Sequence, residues 1–155
     1  MAKLFLESGD VFTLAGAATV YGSTGTERVV IESGASGVTA DANVERIDLA
    51  GASSAYNYQQ TGNRLNVYSG STLVLTTTVQ DDGNGTQLVF TNGLVDVKIG
   101  VGGMTLGGAT VSTTAGAVTP VTIDTGTTSA MLPETVVAAE VLGVAAALDG
   151  GSGLI

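Results

Sequence analysis

Three arginines recur at a fixed interval of eighteen residues in this 155-residue chain. Arg28, Arg46 and Arg64 each precede a short apolar run, and Glu27 and Glu45 stand directly before the first two arginines. If the runs stack as parallel strands, the arginines lie about 4.8 Å apart and must be interleaved with the glutamates or face solvent. An exposed ladder of ion pairs is the simplest interpretation, and a site for an anionic ligand is the alternative.

A second polar group lies in the segment Asp81-Asp82-Gly83-Asn84-Gly85. Carboxylate and carbonyl oxygens on a glycine-kinked loop are the ligands that calcium prefers, although this loop lacks the spacing and the terminal glutamate of an EF-hand. A polar hairpin turn explains the same residues without a metal. We therefore name Asp81, Asp82 and Asn84 as the candidate metal ligands and calcium as the candidate cofactor.

The residue types argue against an enzyme. The chain has no histidine and no cysteine, so the commonest general base and a thiolate nucleophile are both missing. No glycine-rich loop leads into a Lys-Ser or Lys-Thr pair. The remaining option is Glu27 and Glu45 as paired carboxylates acting on a sugar, and few aromatic residues are present to stack on sugar rings. We predict no catalytic residue.

The charge of the chain limits its partners. Only 12% of the residues are charged, and the formal net charge is −9. Clustered lysines and arginines are needed to bind phosphate, so nucleic acid is excluded as a partner and anionic membranes are disfavoured. No apolar run is long enough to span a bilayer. Residues 1–6 run at once into Glu7, which is too short for an N-terminal secretory signal.

Four short β-forming runs carry the eighteen-residue interval, and they must position the charged residues. They are Val11-Phe12-Thr13-Leu14, Val29-Val30-Ile31, Ile47-Asp48-Leu49 and Leu65-Asn66-Val67. A fixed period in this range is typical of a solenoid, in which each unit buries its apolar face against the next. The sequence predicts an all-β fold built on a β-solenoid (β-helix or β-roll-like) with eighteen-residue rungs, and Val29, Ile47 and Leu65 in one column.

The chain after Leu65 predicts antiparallel hairpins that continue or cap the solenoid. Leu73, Leu75 and Thr77 alternate with other residues at the period of two that half-buried strands require. Asn92-Gly93 is the strongest hairpin signal. We assign residues 1–113 to this β domain, 114–131 to a Thr/Ala/Gly-rich linker or a strand that pairs elsewhere, and 132–155 to a short apolar C-terminal helix and tail.

These features resemble the RTX (haemolysin-type) proteins that bacteria export by type I secretion, and related surface adhesins. The resemblance covers about residues 11–108, and its motifs are the eighteen-residue rung, Gly62-Asn63-Arg64-Leu65-Asn66-Val67 and Thr86-Gln87-Leu88-Val89-Phe90-Thr91-Asn92-Gly93. The glycine- and aspartate-rich nonapeptide that binds calcium in that group is absent from every rung. The resemblance implies a secreted protein whose uncleaved export signal lies in residues 136–155.

The function we expect is that of a secreted structural protein. The ends of a solenoid leave strand edges unpaired. Neither end of this one is obviously blocked, because Leu4-Phe5-Leu6 is apolar and Val121 to Ile123 and the apolar helix lie beyond the stack. Copies would join through the solenoid ends and the C-terminal arm into an extracellular filament or surface layer, so the main partner is the chain itself. The alternative is a monomeric calcium-dependent adhesin or carbohydrate-binding module, with cell-surface polysaccharide as its partner.

Overall fold

The computed structural model describes residues 2–81 and 85–129, and within them the protein is all-β. The one helical element in this part of the chain is a single 3-10 turn, Ser53–Ala55. The strands are β1 (Ala2–Phe5), β2 (Val11–Leu14), β3 (Ala18–Tyr21), β4 (Arg28–Ile31), β5 (Val38–Ala40), β6 (Arg46–Asp48), β7 (Asn57–Thr61), β8 (Arg64–Ser69), β9 (Thr72–Thr78), β10 (Thr86–Phe90), β11 (Gly93–Gly100), β12 (Gly103–Leu106) and β13 (Ala109–Thr110).

The strands form two mixed sheets, and the chain alternates between them from β1 to β6. Sheet A has the order β1-β3-β5-β9-β8-β7, and sheet B has the order β13-β12-β11-β10-β6-β4-β2. Strands β1, β3, β5 and β9 run parallel in sheet A, as do β2, β4, β6 and β10 in sheet B. The remaining pairs are antiparallel. Crossovers therefore build the first half of the fold and hairpins build the second.

One hydrophobic core is shared by the two sheets. Because side chains alternate between the faces of a strand, every second residue of β3, β4 and β6 points inward. Val20, Val29 and Ile47 are fully buried, and they form a single cluster with Leu75 and Leu88 from the later strands. Burial of a valine or leucine side chain contributes about 1.5–3 kcal/mol, so this cluster holds the sheets together.

The predicted column of stacked residues is correct for one step and wrong for the next. Val29 pairs with Ile47, but the residue stacked on Ile47 is Leu88. Leu65 lies in sheet A, because the chain turns back at Gly62, whose φ is +62°, and pairs β8 with β7 as a hairpin. The all-β fold is confirmed, whereas a solenoid of equal eighteen-residue rungs is not shown.

The hairpins of the second half follow the local turn signals. Strands β10 and β11 form the hairpin predicted at Asn92-Gly93, although Gly93 already pairs with Phe90 and the loop lies one residue earlier. In β9 a register shift makes Val74 an extra residue, so Val74 is buried and Leu73 is 38% exposed. This bulge corrects the predicted alternation of β9, because one inserted residue reverses the faces of its neighbours.

The segment predicted as a linker or a separately pairing strand is hydrogen-bonded to both sheets. Gly116 exchanges two backbone hydrogen bonds with Tyr58 of β7, and Asp124 exchanges two with Leu94 of β11. The predicted C-terminal helix in 132–155 lies outside the described residues.

Candidate assembly interface

Both sheets end in an unpaired strand on the same side of the molecule. Strand β1 is outermost in sheet A and β2 is outermost in sheet B. The turn at residues 6–10 joins them, and it rests on the next corner loop through a hydrogen bond from Gly9 N to Thr26 O. Among residues 2–81 and 85–129, no strand pairs with the outward edge of β1 or β2. We call these two edges together the open end.

The hydrogen bonds that β1 and β2 make to their inner neighbours show which of their backbone groups face outward at the open end. Leu6 N–H donates to Tyr21 O. Asp10 O accepts from Arg28 N, and Leu14 O accepts from Glu32 N. In a parallel pair, alternate residues direct their groups to one neighbour. The intervening residues Lys3 and Phe5 on β1, and Val11 and Thr13 on β2, therefore direct their backbone groups outward.

The side chains of the open end are unusually apolar for a pair of edge strands. Phe5 is 75% exposed and stacks on Tyr21, with ring centroids 4.9 Å apart, and Val11 is 40% exposed. Leu4 and Phe12 pack against the core but are only partly buried. Natural edge strands are protected by charges, prolines or bulges. In β1 and β2 the only such device is Lys3.

The opposite end is covered by the chain itself, which corrects the expectation that neither end is blocked. Outermost β7 of sheet A is hydrogen-bonded along its edge, from Tyr58 N to Gly116 O at 2.8 Å and from Gln60 N to Ser112 O at 2.8 Å. Sheet B ends in β13, which has only two residues. A short edge strand offers little to pair with.

Tyr58 fixes this covered end to sheet B. Its side chain is fully buried, and its hydroxyl donates to Ser53 O at 2.7 Å. Its ring meets Phe90 edge-on, with centroids 6.4 Å apart. Asn92 continues the link, because its side chain accepts from Ser53 N at 2.9 Å and donates to Ser53 Oγ at 3.0 Å.

Stability is expected to fall at alkaline pH because of Tyr58. Burial raises the pKa of Tyr58, and the neighbouring Tyr56 raises it further. The unfolded chain releases this proton near pH 10, while the folded protein keeps it, so the unfolding free energy declines as the pH rises above about 10. Urea unfolding between about pH 9 and pH 11 measures the slope, which should be shallower in Tyr58→Phe. An identical slope in both proteins would contradict this role.

The predicted arginine row is divided between the sheets. Arg28 and Arg46 are neighbours in sheet B, but the next position in their row is Gln87, and Arg64 is exposed in sheet A. Both neighbours bind fully buried Asp48, Arg28 through Nε at 3.3 Å and Nη2 at 3.4 Å, and Arg46 through Nε at 3.1 Å and Nη2 at 3.0 Å. The predicted exposed ladder is thus a buried carboxylate held by two guanidinium groups.

Glu27 and Glu45 do not form the predicted ion pairs with the arginines in the described part of the chain. Glu27 is 1% exposed, and its carboxylate accepts hydrogen bonds from Ser23 N at 3.0 Å and from Ser23 Oγ. Glu27 therefore anchors the corner loop between β3 and β4.

The predicted calcium loop is described at only one of its ligands. Asp81 is exposed, and Asp82 and Asn84 lie outside the described residues. Among the residues described, no three acidic side chains are grouped to hold a metal. Calcium binding here stays a prediction.

The structure adds a polar cavity of about 460 Å³ on the outward face of sheet B. It is lined by Asp96, Lys98 and Asp124 together with Gln87 and Thr122. Asp96 accepts from Gln87 Nε2 at 3.3 Å, and Asp124 accepts from Gly126 N at 2.9 Å. The cavity has no signal in the sequence, because Asp124 is thirty residues from its neighbour Leu94. Mixed donors and acceptors of this kind suit a polar, hydroxylated ligand.

Comparison with protein families, curated proteins and solved structures finds no match to this chain. The resemblance to RTX proteins therefore stays a prediction. In the described residues no helix combines the length and the apolar character needed to cross a membrane.

Proposed function

We propose that this chain is a secreted structural protein that assembles with copies of itself, at the cell surface or outside the cell, into a filament or surface layer. The observation that supports this most is the open end. Two strand edges lie side by side there with Phe5 and Val11 exposed, and Lys3 is the only charge on them. Such edges bind further strands unless they are blocked.

The finer form of this proposal is a short β-solenoid that ends in hairpins. It is supported by the parallel pairings that join β2, β4, β6 and β10 in one sheet and β1, β3, β5 and β9 in the other. Each crossover moves the chain from one sheet to the other, and the parallel strands stack in sequence order. The C-terminal arm that we propose as a further assembly contact is the predicted helix and tail of residues 132–155, which lie outside the described residues.

Self-association tests the proposal directly. The full chain has a mass of 15.3 kDa as a monomer, and its average mass in light scattering should rise with protein concentration. Negative-stain electron microscopy of the concentrated sample should then show extended or layered particles. A mass that stays at the monomer value at every concentration, with an empty field in the microscope, would contradict self-assembly.

A second candidate function is a carbohydrate-binding module or adhesin. The cavity on sheet B favours it, because Asp96, Asp124 and Gln87 can accept and donate hydrogen bonds to sugar hydroxyls. Calorimetry with soluble bacterial polysaccharide, compared between the natural chain and Asp96→Asn, tests this candidate. Thermal unfolding with calcium and with a chelator separates its calcium-dependent form, since a bound ion raises the melting temperature by mass action.

A further inference from the structure

We propose that the open end pairs with the open end of a second copy, in a head-to-head dimer related by a two-fold axis normal to both sheets. This inference rests on the proposed self-assembly and names its first contact. In the dimer β1 lies antiparallel to β1 of the other copy in a continuous sheet A. Strand β2 does the same in sheet B.

The partner is inferred from what the open end requires. A binding partner must offer two strand edges at the spacing of the two sheets. A second open end has that spacing, because it consists of the same two strands in another copy. Head-to-tail addition would instead use the opposite end, where β7 is already hydrogen-bonded to Gly116 and Ser112. An isologous contact of the open end with itself is therefore the pairing that the described residues leave available.

The register follows from the backbone groups that face outward. In an antiparallel pair, residues with outward groups lie opposite one another and exchange both hydrogen bonds. A two-fold axis at Leu4 places Lys3 opposite Phe5, and an axis at Phe12 places Val11 opposite Thr13. One axis can serve both strands, because Leu4 pairs with Val20 and Phe12 with Val29. Val20 precedes the corner loop at 22–27 by the same number of residues as Val29 follows it.

This register agrees with the charges and with the burial at the open end. It brings each Lys3 over the exposed ring of Phe5, a favourable cation–π arrangement, and keeps the two lysines apart. It also brings the partly buried Leu4 and Phe12 against their counterparts, which completes the core. Because the strands run in opposite directions, the acidic corner with Glu7 and Asp10 approaches the Lys3 side of the other copy.

A cysteine cross-link tests the register, because the chain has no cysteine of its own. Leu4 lies opposite itself at a non-hydrogen-bonded pair, where the Cα atoms are about 4.5 Å apart, within the range of a disulfide. Mild oxidation of full-length Leu4→Cys should yield a covalent dimer in high proportion. Val101→Cys, at the fully exposed turn between β11 and β12, should remain monomeric on a denaturing gel.

A charge variant tests the same contact without a cross-link. Val11→Lys should weaken the dimer on the order of tenfold, since it removes an apolar side chain from the contact and places one lysine from each copy at diagonal positions of the new sheet, where the two charges repel. Circular dichroism should show that the fold is retained. Val101→Lys makes the same change in charge away from the open end and should leave the dissociation constant unaltered. Sedimentation velocity measures both.

The outcomes separate this inference from the proposed function. If the natural chain associates but Leu4→Cys does not cross-link and Val11→Lys associates normally, the head-to-head dimer is wrong and self-assembly stands. If a mixture of Leu4→Cys and Val141→Cys forms the heterodimer instead, the C-terminal arm occupies the open end, which also overturns the dimer. If the natural chain is a monomer throughout, both proposals fail.

Discussion

Replacing Gly85 by alanine is expected to lower the free energy of unfolding by about 3–5 kcal/mol, a large share of the 5–15 kcal/mol of a typical domain. Gly85 has a φ of +63°, which costs an L-residue about 1 kcal/mol. The added Cβ would also overlap the carbonyl oxygen of Val97 and lie 2.8 Å from its carbonyl carbon. Both atoms belong to the backbone of β11, so no side-chain rotation relieves the clash.

The clash acts on the centre of sheet B. Gly85 leads directly into β10, which lies between β6 and β11 and contributes the fully buried Leu88 and Phe90. If alanine pushes β10 away from β11, the pairing of Thr86 with Val97 and the packing behind it are lost together. Urea unfolding followed by circular dichroism measures the loss.

Gly62→Ala is the matched control for this substitution. Gly62 has nearly the same φ, +62°, but a Cβ there meets no atom within 4 Å. It should therefore cost only the backbone strain, about 1 kcal/mol. Equal losses in the two variants would show that the backbone conformation, and not the contact with Val97, makes Gly85 necessary.

The sequence predicted the strands better than it predicted their partners. The β-forming runs repeated every eighteen residues correctly placed β4 and β6, and their common offset predicted the pairing of Val29 with Ile47. The same interval also predicted a strand at Leu65, but that strand lies in sheet A, whereas β4 and β6 lie in sheet B. An eighteen-residue interval does not specify whether a strand stacks or turns back, whereas the local turn at Gly62 does, because it joins Thr61 to Arg64 within two residues.

The Asp48 cluster and the two ends of the sheets depend on strand pairings between residues that are far apart in the sequence. Asp48 received no role because its partner Arg28 is twenty residues away, and only the register of β4 on β6 brings them together. One signal was available: Arg46 and Asp48 are separated by one residue and so share a face of their strand. The open end was partly predicted from the apolar residues 4–6. The covered end was missed because residues 112–116 carry no strand pattern.

Replacing Asp48 by asparagine is expected to lower the free energy of unfolding by about 3 kcal/mol. The substitution keeps the shape of the side chain but removes the charge that holds Arg28 and Arg46 together. Breaking a buried ion pair by removing one partner costs about 3–5 kcal/mol, and the lower end applies here because the two arginine side chains are 19% and 23% exposed. Urea unfolding at low and high salt measures the loss, which should be smaller at high salt because repulsion between the arginines is screened.

A triple variant distinguishes the charge of Asp48 from its packing. Asp48→Leu combined with Arg28→Met and Arg46→Met removes all three charges and keeps apolar side chains of similar length. Apolar replacement of a complete buried ion-pair cluster is often neutral or stabilising, so the triple variant should be more stable than Asp48→Asn alone. If the triple variant is as unstable as the single one, the site is held by the shape of its packing. If Asp48→Asn costs less than about 1 kcal/mol, the two guanidinium groups are solvated well enough to tolerate each other, and the charge of Asp48 contributes little to stability.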